Sequence, residues 1–291
     1  MSITAKADEG YTRQELDVQY NNRARVADYM DYFEKWKSWS AATRTNHACR
    51  RNLAYGSGEY EVLDLFPVDR PGAPVNVFIH GGYWQSLDKD DFSFVAEGMI
   101  GNGVASAVIN YGLAPNVTMD EITRQNRSAI AWLWRNAREL NIDPRRIYVS
   151  GHSAGGHLVG MLLATDWPKF EAGLPSDLIR SGCAISGLFD LEPIRLCYLN
   201  DVLRMDAAMA RRNSPVHLTY PVHAPLIITQ GGFESDEYHR QAKIMRELWD
   251  RLGYPSTGYV APDRHHFSLV DQLKDPESAL TRMQVGAINQ I

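Results

Sequence analysis

The chain has 291 residues, of which 44% are hydrophobic, and this is enough for one large core, so a single domain spanning residues 1–291 is expected. A formal net charge of -5 argues against nucleic acid and anionic membrane surfaces as partners. The sequence has neither an apolar signal segment nor about 18 uninterrupted apolar residues, which predicts a soluble, cytoplasmic protein.

Residues 12–50 are predicted to form an N-terminal helical segment. Between residues 12 and 40, aromatic side chains recur among many charges, a pattern typical of helical turns with one apolar face. Such a stripe packs in a core more often than it contacts a ligand. We therefore expect the segment to pack on the body of the protein or to line the mouth of a pocket, and it supplies no predicted site residue.

The first strand is expected at residues 60–66, where side chains alternate roughly with a period of two, as in a half-exposed strand. Pro71 and Gly72 then break the chain, which indicates a hairpin after this strand. Residues 75–79 form a near-continuous apolar run, typical of an interior strand covered on both faces.

The motif HGGYW, residues 80–84, follows that interior strand. Consecutive glycines adopt backbone conformations closed to other residues, so the amides of Gly81 and Gly82 can point into a cleft. The pattern is similar to the H-G-G-G-like oxyanion loop of lipases and esterases, although His-Gly-Gly also occurs in ordinary turns. Tyr83 and Trp84 would either stack on a substrate ring or pack beneath the loop.

Strands and helices then alternate. Residues 89–100 are predicted to be helical, residues 104–111 to form a buried strand, and residues 119–140 to form a long helix that ends at the sequence Asn-Ile-Asp-Pro. This rhythm implies right-handed crossovers and a mostly parallel sheet flanked by helices. The predicted class is α/β, with the pattern of an α/β-hydrolase fold.

The stretch IYVSGHSAGGHLVGM, residues 147–161, reads as a buried strand, a tight turn and an apolar helix. Ser153 lies at the turn between Gly151 and Gly155, which matches G-x-S-x-G and predicts an exposed nucleophilic hydroxyl. The amide of Ala154 would lie at a helix N-terminus, where it can receive a developing oxyanion. The alternative is a serine that caps the helix.

A base and a carboxylate are needed to activate such a serine. After a strand at residues 179–187, residues 188–216 are a probable cap insertion over the strand ends. The acid is expected after the strand at residues 225–232, where Glu234 and Asp236 are the candidates. The base is expected after a short strand at 258–260, where His265 and His266 are the candidates, and chain position leaves both choices open.

Six motifs together resemble the kynurenine formamidase, or arylformamidase, family of α/β-hydrolases. They are HGGYW (80–84), NYGLAP (110–115), GHSAGGHL (151–158), SGLFDLEPI (186–194), ESDEYHRQ (234–241) and HFSLVDQL (266–273), and LDVQYNNRARV (16–26) is similar to that family's leader. The resemblance implies Ser153 as nucleophile, Glu234 as acid and His266 as base. It also implies the amides of Gly81, Gly82 and Ala154 as oxyanion donors.

Two departures from related patterns are present. Animal members usually carry aspartate where Glu234 stands, which keeps Asp236 as a rival. Gly112 replaces the arginine of the esterase motif Y-R-L-A-P, which moves the sequence away from the lipases.

The reaction implied by the resemblance is hydrolysis of an aryl formamide, such as N-formylkynurenine, to the aryl amine and formate through a formyl-enzyme. The alternatives are a carboxylesterase for small acyl esters and a catalytically inactive binding protein, which the intact set of residue types disfavours. No cofactor or metal is expected, because three cysteines lack C-x-x-C spacing and nine histidines form no H-E-x-x-H motif. A homodimer is expected from the family alone.

Overall fold

A computed structural model describes residues 10–290 and places eight strands in one sheet, in the order β1-β2-β4-β3-β5-β6-β7-β8. The strands are β1 (Arg50–Ala54), β2 (Val62–Phe66), β3 (Ala73–Ile79), β4 (Ala105–Ile109), β5 (Ile142–His152), β6 (Gly182–Ile185), β7 (Leu226–Gly231) and β8 (Ser256–Ala261). Strand β2 pairs antiparallel with β1 and β4, and all other pairings are parallel. This is the mostly parallel sheet predicted from the sequence.

Helices connect the strands and flank the sheet. They are α1 (Arg13–Tyr20), α2 (Asn22–Arg25), α3 (Tyr29–Asn46), α4 (Ala96–Ile100), α5 (Met119–Arg135), α6 (Ala154–Leu163), α7 (Trp167–Phe170), α8 (Glu192–Leu196), α9 (Asn200–Leu203), α10 (Ala207–Arg212), α11 (Asp236–Leu252), α12 (His266–Val270) and α13 (Ala279–Asn289). Short 3-10 helices occupy Lys89–Asp91, Ser93–Val95, Pro215–His217 and Asp271–Lys274. Among residues 10–290, no helix has both the length and the apolar character needed to cross a bilayer.

Strand β3 shows why the sheet is covered on both faces. All seven of its residues are buried, and it lies between β4 and β5. Successive side chains of a strand point to opposite faces. Val77 accordingly belongs to a core with residues of α5 and α6, whereas Phe78 belongs to a second core with Trp36 of α3. A mostly apolar run therefore suits this position, and its one polar side chain, Asn76, donates a hydrogen bond to the hydroxyl of Ser150.

The predicted start of the sheet was wrong. Strand β1 precedes the strand expected to be first, and the hairpin joins β1 to β2 rather than following β2. Strand β2 is also mostly buried rather than half-exposed, because it lies between β1 and β4. The polar sequence Arg50–Ala54 conceals β1, since this edge strand exposes most of its side chains.

Two predicted helices are shorter than expected. In the range 89–100 only α4 is α-helical, and the residues before it form two 3-10 helices, the first of which is capped by Asp88. Helix α5 ends at Arg135, and β5 begins at Ile142 rather than near residue 147.

The N-terminal segment and residues 188–216, the predicted cap insertion, meet near the carboxyl ends of the central strands. Helices α1 to α3 make up the N-terminal segment, and α8 to α10 lie within residues 188–216. Arg13 of α1 forms an ion pair with Asp201 of α9, and Asp17 accepts a hydrogen bond from the amide of Tyr198. The two segments therefore contact each other, and both contribute residues to the lining of one cavity.

Candidate active site

Ser153 lies at a strained turn between β5 and α6. Its φ of 58° is in the left-handed region, which non-glycine residues rarely adopt. A Cβ atom on Gly151 would come within 2.3 Å of the carbonyl oxygen of Gly155, and a Cβ on Gly155 would come within 2.0 Å of that of Ile79. Only glycine fits at both positions, so the backbone bends sharply and presents the serine side chain at the strand end.

A hydrogen-bonded row joins three side chains that are far apart in the sequence. The hydroxyl of Ser153 lies 3.0 Å from Nε2 of His266, and Nδ1 of the same ring lies 2.7 Å from Oε1 of Glu234. All three residues are buried. Glu234 follows β7, and His266 begins α12 after β8. With Nδ1–H donating to the carboxylate, Nε2 can accept the serine proton.

Burial shifts the pKa values of the two titratable side chains in this row, His266 and Glu234. It lowers the pKa of His266, so the imidazole is neutral at neutral pH and free to accept a proton. It raises the pKa of Glu234, because the carboxylate is removed from water. The carboxylate in contact with Nδ1 then favours the imidazolium that forms when the base takes the serine proton.

His152 is a neighbour of the base that the sequence analysis did not select. Its Nε2 donates to the backbone carbonyl of His266 at 2.9 Å, and the two rings lie 4.6 Å apart. Burial, aided by the nearby His266 ring, lowers the pKa of His152 to about 3, so this ring is also neutral. This hydrogen bond holds the backbone of His266 in place. In the sequence, His152 could have been selected from its position directly before Ser153 in the motif G-H-S.

The structure does not bring the two rival residues into the row. Asp236 is exposed in the first turn of α11. The Nδ1 atom of His265 accepts hydrogen bonds from the amides of Phe267 and Ser268, so this histidine caps α12, and its Nε2 lies 3.1 Å from the hydroxyl of Tyr32.

The loop after β3, residues 80–84, is called the glycine loop, and it passes directly beside the serine. A Cβ atom on Gly81 would lie 3.1 Å from the Cβ of Ser153. The carbonyl of Gly81 lies 2.8 Å from Nδ1 of His80, and because the peptide is planar, the amide of Gly82 points the opposite way. Ala154 begins α6, where the first amides have no intrahelical acceptor. The backbone of Gly81 and the amide of Ala154 thus lie beside Ser153, and the role of Gly81, Gly82 and Ala154 as oxyanion donors remains a prediction.

Tyr83 and Trp84 differ in their placement. Trp84 is fully buried and its indole N–H donates to Nδ1 of His157. Of the two placements predicted for it, Trp84 thus takes the one beneath the loop, and it does not line the cavity. Tyr83 lines the cavity. Its hydroxyl donates to the carbonyl of Tyr20 and lies 2.7 Å from the hydroxyl of Tyr238.

An open cavity of about 370 Å³ lies over Ser153 and His266. Its aromatic wall comes from the N-terminal segment and α12, through Phe33, Trp36 and Phe267. No residue of the N-terminal segment was predicted to belong to the site, because aromatic residues at helical spacing pack in cores more often than they contact ligands. The aromatic pattern between residues 12 and 40 predicted a segment that packs on the body or lines a pocket mouth, without indicating which of its residues form this wall.

The chain is similar in sequence and in structure to known proteins. A family model described as BD-FAE matches residues 63–247. A kynurenine formamidase from Salmo salar is 30% identical over 80% of this chain and 79% of its own length. Esterase LipC from Mycobacterium tuberculosis is 30% identical over 52% of this chain and 41% of its own length. A crystal structure of a protein from Silicibacter sp. TM1040, described as a candidate thioesterase, has a TM-score of 0.83 and 35% identity, covering 94% of this chain and 99% of that one.

Proposed function

The chain belongs to the BD-FAE and kynurenine formamidase group of α/β-hydrolases, and on this premise we propose that it is a serine hydrolase that cleaves aryl formamides such as N-formylkynurenine. At the coarser level it is a hydrolase of formamide or ester substrates. The observation that carries the serine mechanism is the row from Ser153 through His266 to Glu234, whose first two members line the cavity. The choice of a formamide as substrate is supported by the similarity to kynurenine formamidases.

In the proposed acylation step, Nε2 of His266 takes the proton of Ser153 while the serine oxygen attacks the formyl carbon. The negative charge that develops on the formyl oxygen is stabilised by the amides of the glycine loop and of Ala154. Collapse of the tetrahedral intermediate breaks the C–N bond. The imidazolium of His266 gives its proton to the departing aryl amine, which leaves a formyl ester on the serine.

Deacylation reverses these roles. His266 takes a proton from water, and the resulting hydroxide attacks the formyl ester. The second tetrahedral intermediate expels the oxygen of Ser153, which recovers its proton from the imidazolium. Formic acid leaves and ionises to formate by releasing its proton to solvent, while His266 returns to its neutral form.

A carboxylesterase is the second candidate function, favoured by the similarity to Esterase LipC over about half of the chain. The same serine chemistry cleaves both bonds, because only the leaving group differs. Aryl amines are poorer leaving groups than phenols, so an enzyme adapted to formamides must protonate the leaving nitrogen efficiently.

The test compares kcat/KM of the purified full chain on N-formylkynurenine, formanilide and p-nitrophenyl acetate. We expect kcat/KM to be highest for a formamide. Turnover of the acetate ester without detectable formamide cleavage would favour the esterase instead.

Ser153→Ala tests the nucleophile in the same assay. We expect kcat to fall by roughly 10⁶-fold, because the three side chains act as a unit. Ser57→Ala, at an exposed serine in a loop, is the control and should retain wild-type activity. Near-normal activity of the Ser153 variant would contradict the proposed nucleophile.

A further inference from the structure

We infer that Arg23 binds a carboxylate on the substrate, so that the preferred substrate is an aromatic formamide or ester with a negative charge. This inference rests on the proposed function, since it names the substrate class of the same site. It assigns a specificity-determining residue to the N-terminal segment.

Arg23 lines the cavity that holds Ser153 and His266. It belongs to α2, and its Nη2 donates to the hydroxyl of Ser86 at 3.2 Å. That hydroxyl in turn donates to the carbonyl of Gly82 at 3.0 Å. The guanidinium is therefore connected through one serine to the glycine loop beside the nucleophile.

The charge of Arg23 is uncompensated within the described chain. The cavity is lined by no aspartate or glutamate from residues 10–290, and its two histidines, His152 and His266, are kept neutral by burial, which lowers the pKa of each. Arg23 forms no ion pair with any carboxylate of those residues, unlike Arg13, which pairs with Asp201. A cavity with one positive charge and no negative charge attracts anionic ligands.

The surroundings of Arg23 suit an aromatic ring as well as a charge. Its guanidinium carbon lies 5.6 Å from the ring centroid of Phe33 and 5.8 Å from that of Tyr29. The ring of Phe33 lies 5.5 Å from that of Trp36 and 5.6 Å from that of Phe267. An aryl substrate could pack on this wall while its carboxylate accepts hydrogen bonds from the arginine, which is a strong and directional pairing.

The test uses substrates that differ only by a carboxylate: N-formylkynurenine and its decarboxylated counterpart, N-formylkynurenamine. The measured quantity is the ratio of their kcat/KM values. In Arg23→Gln we expect this ratio to fall by roughly 10- to 100-fold, as for the loss of a hydrogen bond to a charged group. The change should appear mainly in KM, because binding of a group remote from the reacting carbon is equal in ground and transition states. Arg23→Lys should restore part of the ratio.

Arg25→Gln is the matched control. Arg25 lies on the same helix and is also exposed, but it lines a separate surface depression rather than this cavity. The variant should keep the wild-type ratio. The inference is overturned if Arg23→Gln leaves the ratio unchanged or if Arg25→Gln lowers it equally.

An ester pair separates failure of this inference from failure of the proposed function. If the wild-type chain cleaves no formamide, 4-acetoxybenzoate and 4-acetoxybenzamide are compared instead, since both are aryl acetates and only the first is anionic. A lower ratio in Arg23→Gln then supports carboxylate recognition in an esterase. An unchanged ratio overturns it, whichever bond the enzyme cleaves.

Discussion

Glu234 is a carboxylate held almost entirely out of water. Burial raises its pKa, and its Oε1 atom lies 2.7 Å from Nδ1 of His266. Desolvation alone makes a buried charge unfavourable, so the contact with an imidazole N–H compensates for part of that cost. The same contact selects the tautomer in which Nε2 faces the hydroxyl of Ser153 with a free lone pair.

Replacing the Glu234 carboxylate by an amide should therefore leave His266 unable to accept the proton of Ser153. In Glu234→Gln the side-chain NH₂ can face Nδ1 and favour the opposite tautomer, whose Nε2 carries a proton. We expect kcat on the preferred substrate to fall roughly 10⁴-fold, a loss typical of triads with this change. Asp236→Asn is the control, and because that residue is exposed, it should be close to wild type. A severe loss in the control with mild loss in Glu234→Gln would move the acid role to Asp236.

The order of serine, acid and histidine along the chain predicts which loop carries the acid and which carries the base, but not which residue of the loop it is. The order of serine, acid and histidine predicts one carboxylate after β7 and one histidine after β8, but two candidates stand in each loop. What separates them is where the next helix begins. His265 is the cap of α12, so its ring turns back to the helix amides, while His266 in the first turn faces Ser153. A one-residue difference in a helix boundary is not readable from composition or periodicity.

At the scale of elements, the turn at Ser153 depends on close backbone packing between α6 and β3. Gly155 in the first turn of α6 approaches the carbonyl oxygens of both Ile79 and His80. Gly156 is likewise close to the backbone of Gly187 after β6. These contacts leave no room for a side chain, so the helix position and the nucleophile position are fixed together.

A methyl group at Gly155 should break this arrangement. Its Cβ would meet backbone rather than a flexible side chain, so we expect Gly155→Ala to lower the free energy of unfolding by about 3 kcal/mol or more, or to prevent folding. Gly286→Ala is the control, since that glycine lies inside α13 with open space around it and should raise stability by about 0.5 to 1 kcal/mol. Urea unfolding followed by circular dichroism measures both. Equal stability of the Gly155 variant and the wild type would contradict the proposed packing constraint.

Strands that are buried on both faces could be predicted from the sequence more closely than the exposed strand at the sheet edge. Strands β3 and β4 are covered on both faces, so their sequences are mostly apolar, and the sequence pattern predicted their positions closely. Strand β1 has the sequence RRNLA and is held by hairpin pairing with β2, and because most of its side chains are exposed, it shows no apolar pattern. The 3-10 turns within residues 89–95 follow from capping by Asp88 and from contacts with α3, which a helical periodicity does not reveal.

At the scale of the whole molecule, the N-terminal segment completes the cavity. Helix α3 contributes Phe33 and Trp36 to the cavity wall and packs on the segment that carries His266. Asp271, just after α12, accepts hydrogen bonds from the indole N–H of Trp36 at 2.7 Å and from Lys35 at 2.6 Å. One carboxylate thus joins the first part of the chain to the last. The sequence predicted a helical segment that packs on the body or lines a pocket mouth, but not this connection, because its two ends are more than 230 residues apart.

Removing that carboxylate should loosen the cavity wall without touching the reacting groups. Asp271→Ala leaves the buried indole N–H of Trp36 without its acceptor, which costs about 1 to 3 kcal/mol of stability. We expect faster amide hydrogen exchange in α3 and a higher KM for aromatic substrates, with a smaller change in kcat, because the wall binds the aryl group and the base is untouched. Asp31→Ala, an exposed acidic residue in the first turn of α3, should change neither quantity. If kcat collapsed in Asp271→Ala while exchange in α3 stayed at the wild-type rate, Asp271 would act on His266 through α12, and the N-terminal segment would have no part in the effect.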